Sequence, residues 1–483
     1  MHAVLLGLLT LTAWHDLAAQ AAGVERFLRS EMQERRIPGL QVAVVRHGKV
    51  VFHGGYGVAS VQYALPVTDQ TVFSINSGTK AFTGVAVMQL VEAGKVDLAA
   101  PVARYLSGLP AEWQAVTIRQ LLNHTSGIPD ILDPNTGNVL ADAADDPLWA
   151  KIQGRPTEFV PGARFSYNQT NYLLLGKVID TLSGRPFVDF ITERQFRIAG
   201  MRQAGFGDSR DVIRNKAQSY RFVRDAAHPA AGATLTNVIE EFPAFIRTGA
   251  GINTTATEVA QWIVALQQGR FFTAKTSLPT LWEPGVRSDG TPETWALGWP
   301  AISRPKHRAV AGIGGGRSAF YVYPDDDLAV VILTNLSGAS PEELIDRVAG
   351  YFIPALRESR WDAMAAVRTK LERGGFDQAL PVVAEATRRD PGFELPREDV
   401  NDWGYRLLSK GRLRDAVEIF RLNVSLYPAN ADVYDSLAEG FEAVGDRKQA
   451  VANYLRSLKL DPKNAHAEQR LKAIEAMGGR PTP

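Results

Sequence analysis

Gly411, Ala416, Phe420 and Pro428 are followed 34 residues later by Gly445, Ala450, Tyr454 and Pro462, the same four kinds of position at one fixed interval. The internal spacing occurs once more upstream, at Gly374, Ala379, Val383 and Pro391, with a three-residue insertion before the next unit. A short fixed interval constrains the fold severely. One helix pair cannot bury its apolar face alone, so each unit must stack on a neighbour that solves the same packing problem. Small residues fall where helices cross, and proline falls where the second helix ends. About three such units fit between residues 362 and 476, the first of them degenerate.

This helix-turn-helix pattern resembles the tetratricopeptide repeat family. The resemblance implies an all-α domain whose concave face suits an extended peptide or helix of a protein partner, or else a passive stabilising cap. The repeats occupy only part of the chain: 483 residues, at about 100–200 per domain, suggest two to four domains. The character changes near Trp361. Upstream, residues 25–356 mix strands and helices punctuated by Gly and Pro. Residues 39–46 and 49–57 read as a hairpin around His47-Gly48, and 317–323 and 328–334 as two more strands joined through Pro324-Asp325-Asp326-Asp327. Helical stretches are expected at 77–93, 117–123, 170–183, 255–268 and 341–356, two of them opening with the capping boxes Thr117-x-x-Gln120 and Thr255-x-x-Glu258. Strands at both ends with helices between predict an α+β domain, an antiparallel sheet assembled from the termini beside a helical region.

Composition removes several function classes. Lys and Arg number 53 against 52 Asp and Glu, so the charge gives no reason to expect nucleic acid or an anionic membrane as partner. Cysteine is absent, which excludes disulfides, zinc-thiolate sites and a cysteine nucleophile. No His-Glu-x-x-His, EF-hand, Walker A or dinucleotide fingerprint occurs, so neither a metal nor an organic cofactor is expected. The apolar run Ala3–Trp14 followed by Ala19-Gln20-Ala21 reads as a signal peptide over residues 1–21, although no Lys or Arg precedes it. Export to the periplasm or the medium is the expectation, with no span in the mature chain.

The segment Phe73-Ser-Ile-Asn-Ser-Gly-Thr-Lys80, running into an apolar helix, carries the chemistry. Ser77 and Lys80 are three apart, so on a helix they share one face and the amine reaches the hydroxyl. An amine in a poorly hydrated pocket has a lowered pKa and helps deprotonate the hydroxyl, while the helix N-terminus favours the developing negative charge. Ser-x-x-Lys alone is weak, since a second occurs at Ser303–Lys306, where Pro305 opposes a helix.

Four ordered stretches add the context: Phe73–Lys80; Val116-Thr-Ile-Arg-Gln-Leu-Leu-Asn-His-Thr-Ser-Gly127; Pro161-Gly-x-x-Phe165-x-Tyr167 with Asn171-Tyr-Leu-Leu-Leu-Gly176; and Gly314-Gly-Gly-Arg-Ser-Ala-Phe320 with Leu328–Asn335. Together they resemble the serine β-lactamase and penicillin-binding-protein family, in its class C, D-aminopeptidase and esterase branch, over residues 25–356. The resemblance implies that Ser77 is the acylated nucleophile, Lys80 its activating partner and Tyr167 the residue that exchanges protons with nucleophile and leaving group. The Ser77 amide would form half of an oxyanion hole, and the strand near Gly316 the other half.

Two departures from the family pattern stand out. Gln169 replaces the Asn of the Tyr-x-Asn box, keeping the amide but reaching one methylene further. Ile313-Gly314-Gly315 replaces the usual Lys-Thr-Gly or His-Thr-Gly, removing the cation and the hydroxyl that hold a substrate carboxylate in β-lactam-processing relatives. Arg317 is the nearby candidate for the missing charge, although strand alternation can turn it away. His124 reads as a buried, hydrogen-bonded residue rather than a partner of Ser77. The expectation is a serine hydrolase for esters or amides, D-amino-acid peptides among them, that handles β-lactams poorly. The alternatives are an inactive binding scaffold on the same fold and a true β-lactamase.

Overall fold

The computed structural model describes residues 2–132, 145–225, 232–304, 306–357, 359–390 and 392–478. It divides into two compact units: Met1–Tyr220 with Asn237–Leu356, and Arg221–Thr236 with Arg357–Pro483. The second unit therefore takes a short stretch from the middle of the chain as well as its C-terminal part, a division that no contiguous boundary reproduces.

The first unit is built on a seven-stranded sheet. Its strands are β1 (Gly39–Arg46), β2 (Lys49–Ser60), β3 (Leu65–Pro66), β4 (Ala301–Ile302), β5 (Ala309–Gly314), β6 (Ser318–Tyr323) and β7 (Leu328–Thr334), in the order β3-β2-β1-β7-β6-β5-β4. Every pairing is antiparallel. The N- and C-terminal strands meet at the centre, Leu40 opposite Thr334 and Arg46 opposite Leu328. β7 is buried along its whole length and β1 except at its last residue, which is why they read as continuous apolar runs rather than alternating ones. The β1–β2 turn places His47 (φ 52°) and Gly48 (φ 65°) both in the left-handed region, as a two-residue hairpin of this twist requires.

Helices cover the sheet. The helix Thr79–Glu92 is buried from Thr79 through Leu90. Phe82 on it stacks on Trp262 at 3.8 Å between ring centroids, and Trp262 stacks in turn on Trp299. Gln169–Ser183 and Ala256–Gln267 pack around the same core, and Glu342–Phe352 lies near the end of the unit. Thr117 closes a full capping box with Gln120, whereas Thr255 forms only half of one. The Glu258 carboxylate accepts instead from the Gln203 amide and the Thr254 hydroxyl. A small three-stranded sheet pairs Ile252–Thr254 with both Phe73–Ser74 and Gly205–Phe206. One helix spans His2–Arg35, so Ala3–Trp14 and Ala19-Gln20-Ala21 both fall within it. Its later turns bury Val24, Phe27 and Leu28, and the Arg347 guanidinium sits over the Phe27 ring. Among the described residues, no helix is long and apolar enough to cross a membrane.

The second unit consists of helices and one hairpin. Helices start at Arg397, Ala431 and Ala465, each 34 residues after the last, and their partners start at Leu413 and Arg447, also 34 apart. Ser359–Gly374 and Ala379–Arg389 precede them. Ala379, Ala416 and Ala450 are all buried, as are Val383, Phe420 and Tyr454 four residues on. Gly411 (φ 74°) and Gly445 (φ 81°) make the left-handed turns between paired helices. Gly404 is held without a side chain, because a Cβ there would lie 2.4 Å from the Phe420 ring. The hairpin strands Tyr220–Arg224 and Ala233–Asn237 enter this unit through residues 221–236, with Gly232 against the backbone of Gly411.

Candidate active site

Phe73–Ser74 delivers the chain to a tight corner. Asn76 takes φ 46°, a costly conformation for a residue with a side chain, and Asn76–Gly78 forms one 3-10 turn before the helix starts at Thr79. Ser77 thus sits on the 3-10 turn that leads into the helix, and Lys80 is the second residue of the helix itself, whereas the sequence pattern places both on one helix.

Lys80 is 1% exposed. Its Nζ donates to Ser77 Oγ at 3.3 Å, to Gln169 Oε1 at 2.9 Å and to the Gly249 carbonyl at 2.9 Å. It also lies 4.8 Å from the centre of the Tyr167 ring and 5.1 Å from that of Tyr172. Among the described residues it forms no ion pair, so these three acceptors and two ring faces offset the loss of hydration. Gly249 has to be glycine for this, since a Cβ there would stand 2.6 Å from Gln169 Oε1 and 3.2 Å from Lys80 Nζ.

Gln169 begins its helix with Asn168 as the N-cap, and its amide donates to Asp130 Oδ1 at 3.0 Å. The extra methylene carries its oxygen to Lys80, while its nitrogen faces the Tyr167 hydroxyl at 3.5 Å. Tyr167 is 38% exposed, with its ring on His124 at 4.5 Å and on Trp295 at 5.6 Å. Hydroxyl, amine and phenol therefore line one wall, with Gln169 between the last two. Among the described residues, no hydrogen bond joins Tyr167 to Ser77 directly.

His124 is fully buried and does not touch Ser77. Its Nδ1 accepts from the Asn168 amide at 3.1 Å, and four aromatic rings enclose it. Burial, and secondarily the charge of Lys80, holds its pKa well below the ordinary imidazole value, so it is neutral. Burial likewise raises the Tyr172 phenol far above its usual value, and that hydroxyl donates to Leu122 O.

The fourth stretch departs from expectation in a specific way. Gly314 ends β5 directly against the Ser77 turn: a Cβ on it would lie 2.0 Å from Ile75 O and 2.8 Å from Ser77 N. No side chain fits there, so the missing hydroxyl is a matter of space as well as of chemistry. Gly315 and Gly316 follow with φ 58° and 59°. Gly316 flanks Gly338, and its carbonyl accepts from the Ser340 amide at 3.0 Å. The Arg317 side chain is turned inward and buried, donating to Glu240 Oε1 at 3.0 Å and to Ser337 Oγ at 2.5 Å. The other Ser-x-x-Lys forms no helix at Ser303 and Lys306, and Pro305 lies outside the described residues.

Two participants escape sequence reasoning. Gly249 stands in Gly249-Ala-Gly251, a pair of glycines that signals a close backbone approach without saying to what. Glu240, in Val238-Ile-Glu-Glu-Phe242, carries no signal at all.

The first unit is similar to known proteins. The profile of the family described as Beta-lactamase matches residues 24–351. Protein flp of Staphylococcus aureus (strain N315) is 24% identical over 342 residues, covering 67% of this chain and 65% of that protein. Penicillin-binding protein 4* of Bacillus subtilis (strain 168) is 28% identical over 311 residues, covering 61% of this chain and 67% of that one. The chain thus spans about two thirds of the length of these curated relatives. Among solved structures, the octameric penicillin-binding protein homologue from Pyrococcus abyssi superposes with a TM-score of 0.59 at 24% identity, over 69% of this chain and 77% of its own. EstCE1, a hydrolase with promiscuous acyltransferase activity, gives a TM-score of 0.58 at 21% identity, over 70% and 99%.

Proposed function

The chain belongs to the beta-lactamase family, and from that premise we propose that it is a serine hydrolase whose nucleophile is Ser77. The observation that carries the reading is the Lys80 amine, buried and 3.3 Å from Ser77 Oγ. Burying an amine is costly, and here Gln169 Oε1 and the Gly249 carbonyl hold it in place beside the one hydroxyl it can activate. In the proposed reaction Ser77 Oγ attacks the acyl carbonyl while its proton passes to the Lys80–Tyr167 pair. The tetrahedral oxyanion is received at the Ser77 amide, and the leaving alcohol or amine takes the proton as the acyl-enzyme forms. Water then repeats the sequence in the opposite sense and releases the acid.

The substrates proposed are esters or amides, including D-amino-acid peptides. Penicillins and cephalosporins are poor substrates on this reading, because Gly314 leaves no room for a side chain and Arg317 is already paired with Glu240. The C-terminal helices are proposed as tetratricopeptide-type repeats that dock a peptide, a reading supported by helix starts 34 residues apart. Export through a signal peptide at residues 1–21 is proposed on the sequence pattern alone.

Labelling with a fluorophosphonate probe tests the core of this. Wild type is expected to be modified at Ser77 and to hydrolyse short-chain p-nitrophenyl esters, and Ser77→Ala to lose both. Undiminished labelling of Ser77→Ala would sink the assignment.

A further inference from the structure

Glu240 is 5% exposed and belongs to no motif, yet its carboxylate holds both sides of the Ser77 turn. Oε1 accepts from Asn76 Nδ2 at 3.2 Å and from Arg317 Nη1 at 3.0 Å. Oε2 accepts from Ser219 Oγ at 3.0 Å and faces Lys216 Nζ at 3.8 Å. Its backbone is fixed as well: its amide donates to Ser209 Oγ at 2.8 Å, and its carbonyl accepts from the Ser209 amide at 3.0 Å.

The two residues on Oε1 are not arbitrary. Asn76 holds the strained corner immediately before Ser77, whose amide is the proposed oxyanion donor. Arg317 closes the turn that follows Gly314, where a Cβ, were there one, would stand 2.8 Å from that same amide nitrogen. One carboxylate oxygen therefore sets the separation of the two walls that an oxyanion would occupy. Oxyanion donors act through preorganised placement, so a residue that fixes their spacing acts on the rate more than on ground-state binding. The same contact settles a question of charge. Arg317 is the nearby candidate for the cation missing from Ile313-Gly314-Gly315, and with Glu240 at 3.0 Å its charge is neutralised inside the protein. Burial lowers the Lys216 amine, which makes no hydrogen bond and faces the same carboxylate at 3.8 Å, on Oε2 rather than on the oxygen that holds Arg317.

We propose that Glu240 is a positioning residue that fixes the two walls of the oxyanion pocket and, by neutralising Arg317, makes the acylation site selective for uncharged acyl groups. The proposal rests on the acylation of Ser77 proposed above. Its test uses two esters, 4-nitrophenyl butyrate and the singly charged 4-nitrophenyl hydrogen glutarate, on the full chain. In Glu240→Ala, kcat for the butyrate is expected to fall about 10²-fold with KM within about twofold, as for loss of one oxyanion donor. Glu240→Gln keeps the shape and one acceptor oxygen, and is expected to recover at least about tenfold of that loss. It also leaves Arg317 without its counter-charge, so the glutarate should gain about tenfold in kcat/KM relative to the butyrate. A kcat in Glu240→Ala within threefold of wild type overturns the positioning role, and an unchanged ester ratio in Glu240→Gln overturns the selectivity. If Glu240→Ala does not fold, the Gln variant alone still decides the ratio. Ser77→Ala run alongside separates the layers: hydrolysis that survives there overturns the acylation itself, not merely the part given to Glu240.

Discussion

The two units differ in what they bury. The first hides polar and charged side chains near Ser77, among them Lys80, His124, Asn171, Glu240 and Arg317. In the second, the buried side chains among the described residues are overwhelmingly apolar, Trp403, Leu407, Phe420 and Phe441 for instance, with Asn423, Ser436 and Ser457 the polar exceptions and none charged. Buried polar groups cost free energy unless paired, whereas buried apolar groups supply it. The first unit spends stability to hold a site; the second accumulates it. Substitutions should accordingly separate into those that change rate and those that change stability.

The largest expected effect falls on Lys80. Lys80→Met keeps the length of the side chain and removes the donor to Ser77, so ester hydrolysis should drop about 10²–10⁴-fold. Its unfolding midpoint should move far less, because the amine that is lost was itself costly to bury. Parallel kinetics and thermal melts check the pair of outcomes, and a collapse of both together would break the contrast. In the second unit Phe420→Ala should do the reverse. The ring is fully buried, flanked by Gly404 and Gly440 and edge-on to Tyr405 at 5.1 Å, so its loss should cost about 3–5 kcal/mol with the ester rate unchanged. Denaturant melts monitored by the helical signal measure it.

The smallest effect is a pH slope that His124 should give the first unit. His124 is held neutral with its pKa depressed, so between its folded and unfolded values the unfolded chain binds the extra proton. Its contribution is fully present above about pH 6.5, the ordinary imidazole value, and is lost as pH falls through the folded value. His124→Asn should flatten that slope of the melting midpoint between pH 7 and 5, and an unaltered slope would assign it elsewhere.

Much of the frame was legible from local pattern. β1, β6 and β7 announce themselves as apolar runs, His47-Gly48 as a turn, and Ser77 with Lys80 as side chains in reach of each other, because each depends on residues a few positions apart. The short strands Gly205–Phe206 and Ala301–Ile302 are too brief to show any period, and only pairing with distant partners makes them strands. Glu258 illustrates the same limit. Its spacing from Thr255 predicts a reciprocal cap, but the Gln203 amide, more than fifty residues away, takes the carboxylate instead. Gly249 and Glu240 reach the Ser77 turn from over 160 residues downstream, through the pairing of Ile252–Thr254 with Phe73–Ser74 and through the Arg317 contact. Nothing in their own neighbourhoods encodes that meeting. Arg317 shows the complementary case: the residue was found, while its direction was set by a carboxylate the pattern could not reveal.

The stretch Arg221–Thr236 alters what can be exchanged between relatives. Because the second unit draws on two separate lengths of chain, no single crossover in a gene transfers it without carrying residues 237–356 of the first unit as well. A recombinant that swaps residues 357–483 alone receives the helices of one ancestor and the hairpin of another, and inherits the mismatch where Gly232 meets Gly411. The same threading survives cleavage. A protease that nicks the chain after Leu356 releases two pieces that still share one folded unit, so they should migrate apart on a denaturing gel and elute together from a sizing column. What looks in the sequence like an appended tail is folded together with a length of the chain's middle.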